Sequence, residues 1–74
     1  MPKLPVLSGQ EVRRILEAHG FQQVRQRGSH LVMQKSEDDG GTTTIPVPDH
    51  SELRTGTLRS IIRQSGLSVE AFRR

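Results

Sequence analysis

The 74-residue chain contains no cysteine, tryptophan or tyrosine, and only two phenylalanines. Without cysteine there is no disulfide staple, no thiol nucleophile and no thiolate metal site. With Phe21 and Phe72 as the whole aromatic complement, RNA-binding modules that stack bases on rows of sheet aromatics are excluded. No apolar run approaches the ~20 residues of a membrane span, and no signal-peptide pattern opens the chain. Acidic residues are in the minority: eight Asp and Glu against eleven Lys and Arg leave a net charge of +3, which favours an anionic partner. The expectation is one domain over residues 1–74, soluble and cytoplasmic. Its core is thin, because a chain this short buries only ~60% of the surface it exposes when unfolded.

Local signals divide the chain clearly. Pro2 and Pro5 make residues 1–7 an extended lead-in. Ser8 and Glu11 then have the spacing of a capping box, and Val12, Ile15, Leu16 and His19 recur at helical intervals. Gly20 stands where a left-handed cap residue belongs, so the first helix is expected over residues 9–19. Strand-like stretches over 21–26 and 30–35 are joined by Arg27-Gly28-Ser29, the signature of a β-hairpin. Glu37 to Gly41 is a turn signal, and the β-branched run over 42–47 reads as a third antiparallel strand. Pro46 removes a ladder donor from that strand, which therefore lies at an edge or ends there. A polar loop carrying His50 follows, in which Asp49 or Ser51 is a candidate cap for the next helix. Leu58, Ile61 and Ile62 share one face of that second helix, which Gly66 closes. Ser68 begins a short last turn through Val69, Ala71 and Phe72. The fold class is therefore α+β in the order α-β-β-β-α. A three-stranded antiparallel sheet has both helices on one face, with a short C-terminal helical turn.

Helices on one face leave the other open. Period-two alternation turns Leu31, Met33, Ile45, Val47 and Val24 inward. It turns His30, Val32, Gln34, Thr44, Pro46, Gln23 and Arg25 outward. The open face thus gathers polar side chains around one histidine, His30. Of the other two histidines, His19 lies beside a helix C-terminus, where a structural role suffices, and His50 lies in a loop, where binding residues concentrate. No H-x-x-x-H or H-x-H spacing occurs, so no metal is expected. G-x-S-x-G is absent and Ser29 and His30 are strand neighbours facing opposite ways, so no hydrolase triad is expected. Cations are dispersed: Arg25, Arg27 and Lys35 on the hairpin, Arg59 and Arg63 one turn apart on the second helix. Such dispersal suits contact with a phosphate backbone, and equally suits a solvated surface.

At this point the residues resemble the HicA family of bacterial toxins, small messenger-RNA interferases paired with HicB antitoxins. The resemblance rests on Gly20-Phe21, on Arg25-Gln26-Arg27-Gly28-Ser29-His30, on Pro48 with His50, and on the run from Gly56 to Leu67 that begins Gly-Thr-Leu-Arg-Ser-Ile-Ile-Arg. It implies a fold like the double-stranded RNA-binding domain, in agreement with the element order above. It also implies ribonuclease activity without a required metal or other cofactor, with His30 as the catalytic residue. His50 matches a further histidine of the family. The implied partners are mRNA and a HicB-like antitoxin, with no membrane.

Three functions remain open from sequence. In the first, His30 acts as general base on the RNA 2′-hydroxyl, His50 is a possible second catalytic group, and Arg25, Arg27, Ser29, Lys35, Arg59 and Arg63 bind RNA. In the second, the same surface is a non-catalytic RNA-binding module. In the third, the chain is only an interaction partner.

Overall fold

The computed structural model describes residues 4–73. Of the expected lead-in, Met1, Pro2 and Lys3 lie outside the described residues, as does Arg74. From Leu4 onward the segment is irregular and leads to buried Leu7, whose carbonyl accepts the Leu53 N–H at 2.8 Å.

Helix α1 spans Gly9–Ala18. Glu11 N–H donates to Ser8 Oγ (3.1 Å) and Ser8 N–H donates to Glu11 Oε1 (3.0 Å), so two otherwise unpaired donors are satisfied reciprocally. Val12 and Leu16 are buried and Ile15 is half-buried. His19, expected on the same stripe, is exposed, with its Nδ1 on the Ile15 carbonyl at 2.9 Å. Past the helix, Gly20 takes φ +96°. Phe21 N–H then reaches the Leu16 carbonyl (3.0 Å) and Gly20 N–H the Glu17 carbonyl (3.2 Å). These two bonds form a Schellman motif, whose apolar pair, Leu16 and Phe21, joins the core.

Three antiparallel strands follow in spatial order: β1 (Gln22–Arg27), β2 (His30–Ser36) and β3 (Thr42–Pro48). Leu31 opposes Val47 and Met33 opposes Ile45, and all four are buried beneath the helices. The alternate residues, His30, Val32, Gln34, Thr44 and Pro46, occupy the opposite face. Among the described residues strand β3 pairs only with β2, which accommodates Pro46 and Pro48 on an edge strand.

Strand β1 departs from the expected alternation. A β-bulge interrupts its register: Gln23 opposes Met33 and Arg25 opposes Val32, leaving Val24 as the extra residue. An inserted residue shifts the side-chain phase by one. Val24 is consequently 44% exposed and borders the open face rather than the core. Gln23, expected on the open face, shares the helix-side face with Met33. Every residue of β1 is exposed, so the core side of the sheet is built by β2 and β3.

Helix α2 (Thr55–Ser65) ends at Gly66, with φ +72°. Its N-cap position is Arg54, without a side-chain cap, so neither Asp49 nor Ser51 fills the capping role expected of them. A 3₁₀ turn over Val69–Phe72 follows Ser68, which makes no side-chain cap bond either. Leu58, Ile61 and Ile62 from α2, Leu53 from the loop and Phe72 from the turn complete one contiguous core with the α1 and sheet residues.

Candidate functional site

The sheet face opposite the helices holds an open depression of about 550 Å³. His30, Arg25 and Arg27 lie toward the hairpin end. Val24, Val32 and Pro46 form an apolar middle, and Gln34 and Thr44 line the far end. This grouping follows from register: Arg27 opposes His30, Arg25 opposes Val32, Val32 opposes Pro46 and Gln34 opposes Thr44.

His30 is the first residue of β2, held there by a two-residue turn. Gly28 has φ +57° and Ser29 has negative φ, the combination for which a two-residue loop needs glycine at its first position. Gln26 Nε2 reaches over the turn to the Gly28 carbonyl at 3.3 Å. The hairpin tip is also tied to the rest of the molecule. The Ser29 carbonyl accepts the Asp49 N–H at 2.6 Å, and the carbonyl of His50, one residue past Asp49, accepts the Gly9 N–H at 2.9 Å. Asp49 Oδ1 accepts a hydrogen bond from Gln10 Nε2 at 3.0 Å. At Gly9 a Cβ would overlap the Pro48 carbonyl oxygen and come within 2.9 Å of Asp49 Cα. Only glycine lets α1 start this close to the loop. The start of α1, the end of β3 and the hairpin tip are thereby fixed to one another.

The depression is cationic. No acidic side chain among the described residues lines it. The acidic turn after β2 begins three residues beyond Gln34, roughly 10 Å further along the strand. There Glu37 Oε1 accepts a bond from Thr43 Oγ1 (2.7 Å) and Asp39 Oδ1 one from Gly41 N–H (2.8 Å). An exposed imidazole beside two guanidiniums has the components for proton transfer next to a bound anion.

The remaining candidates are dispersed. Ser29 sits in the turn itself. His50 is exposed two residues beyond Pro48, the strand partner of His30, and does not line the depression. Lys35 has the parity of Met33, on the helix side of the sheet, and its Nζ lies 5.7 Å from the centre of the Phe21 ring. Arg59 and Arg63 line a different groove, of about 380 Å³, with Leu4, Ile62, Val69 and Arg73. Of the six expected RNA-binding residues, Arg25 and Arg27 line the depression with His30. Val24 is the member that alternation misplaced, and the bulge that exposes it has no glycine or other marker in the sequence.

A family model described as HicA toxin of bacterial toxin-antitoxin matches residues 9–67. The chain belongs to the HicA toxin family. No curated protein matches it. The HicA match opens at Gly9, the residue packed against the His50 loop, and closes at Leu67. It therefore takes in α1, the entire sheet and α2, with the whole depression inside it. HicA membership brings a toxin role and an antitoxin partner. Among the described residues no three His, Cys, Asp or Glu side chains gather as a metal site requires, and no helix is long and apolar enough to cross a membrane.

Proposed function

We propose that this HicA-family toxin is a metal-independent endoribonuclease that cleaves mRNA in the cytoplasm and is restrained by a HicB-like antitoxin. The observation that carries the reading is the exposed His30 flanked by Arg25 and Arg27 in a depression without acids. RNA supplies its own nucleophile, so the protein needs only to move protons and balance charge. His30 takes the proton of a 2′-hydroxyl, and the 2′-oxygen bonds to the adjacent phosphorus. The bond from phosphorus to the 5′-oxygen breaks, leaving a 2′,3′-cyclic phosphate and, once the leaving oxygen is protonated, a 5′-hydroxyl. Arg25 and Arg27 offset the charge that builds on the phosphoryl oxygens. The 5′-oxygen takes its proton from solvent, because His50, the expected second catalytic group, does not line the depression. Ser29 contacts the RNA backbone at the hairpin tip, while Lys35, Arg59 and Arg63 contact phosphates of longer RNA outside the depression.

The test is incubation of the chain and its His30→Ala variant with a long single-stranded RNA in EDTA. The parent is expected to cleave and His30→Ala to lose about 10²-fold or more, the contribution of a well-placed general base. Products ending in 3′-hydroxyl and 5′-phosphate would overturn the mechanism. RNA left intact by the parent but bound in a gel shift would favour the non-catalytic binding module.

A further inference from the structure

We infer that the part of the depression away from His30 is a nucleobase subsite, in which Gln34, oriented by Thr44, reads the edge of one base of the bound RNA. The inference rests on reading this face as an RNA site and adds to it a specificity element. Gln34 Nε2 donates to Thr44 Oγ1 at 3.2 Å across the β2–β3 pair. That bond holds the amide beside the Thr44 hydroxyl. Gln34 Oε1 and the second amide hydrogen then present an adjacent acceptor and donor, the pair that a base edge complements bidentately. The Thr44 hydroxyl proton adds a third contact. Between this amide and the cations lie Val24, Val32 and Pro46, an apolar surface with one valine 44% exposed. A planar base covers apolar side chains with its ring while its edge remains free for hydrogen bonds, which is how single-stranded RNA is read. The distance is suitable: Gln34 is four residues along β2 from His30, roughly 13 Å, the scale of one nucleotide. A base held at one end thus leaves its backbone at the other, beside Arg25, Arg27 and His30.

The experiment measures binding rather than cleavage. The chain is titrated with labelled 2′-O-methyl tetranucleotides of A, C, G or U, which lack the nucleophilic hydroxyl and stay intact. One base is expected to bind about fivefold or more tightly than the weakest, the discrimination of a bidentate contact. Gln34→Ala reduces that ratio to less than twofold. Thr44→Val weakens it, and Thr44→Ser, which keeps the hydroxyl, retains it. Equal affinity for all four bases in the parent, or the same preference in Gln34→Ala, overturns the subsite while leaving the RNA site standing. No binding of any tetranucleotide overturns both. Circular dichroism of each variant shows whether the exposed substitutions leave the fold intact.

Discussion

At the scale of single residues, the shape of the candidate site depends on positions outside the depression. Gly9 is the sharpest case: its missing side chain lets α1 begin against the Pro48–His50 loop, and that loop holds the Ser29 carbonyl. Gly9→Ala puts a methyl group against a backbone oxygen that cannot rotate away. The expected cost is about 1–3 kcal/mol, as for overpacking in general. In a domain of this size that lowers the thermal midpoint by about 4–8 °C per kcal/mol. Cleavage should fall below what the remaining folded fraction explains, because the loop displacement reaches the strand end that carries His30. A thermal scan paired with a cleavage assay at low temperature separates the two effects. His30→Ala is the converse substitution, losing activity with the midpoint unchanged, since the side chain is exposed.

At the scale of elements, local chemistry and the shared sheet face of the two helices were legible, whereas the phase of β1 and the direction of the α2 arginines were not. The capping box, the Schellman ending of α1 and the Gly28 turn each depend on residues within five positions of one another, so they could be read directly. Pro46 announced an edge or an end to its strand for the same reason. The phase of β1 depended on how it pairs with β2, and Val24 carries no mark of the bulge it forms. Lys35 sits on the strand next to Gln34, but parity carries it through the sheet to Phe21. Arg59 and Arg63 have clear helical spacing, but nothing local reveals that α2 turns them toward the 3₁₀ turn and away from His30. The cap can be tested alone. Ser8→Ala removes the bond to Glu11 N–H and is expected to cost about 1 kcal/mol. Denaturant titration should show the lower midpoint with an unchanged slope.

At the scale of the whole molecule, the core is small enough that one distant side chain decides its survival. Phe72 is fully buried although it lies beyond the residues matched by the family model. Phe72→Ala is expected to cost about 3–5 kcal/mol, against a total of roughly 4–11 kcal/mol for a domain of this length. Loss of cooperative melting near ambient temperature would be the readout. Charge distribution gives a second global prediction. For a short single-stranded RNA, each phosphate neutralised adds about 0.7 to the salt slope. Removing Arg25 and Arg27 together should therefore reduce the slope by about 1.4, while Arg59→Ala with Arg63→Ala leaves it unchanged. The sheet also has two open edges, and an unpaired edge invites another chain to extend it. Here β3 presents Pro46 and Pro48, and β1 is bent by its bulge. Both borders are thus poor templates for a neighbouring strand, which protects concentrated chains from fibrillar stacking without a covering helix or a disulfide.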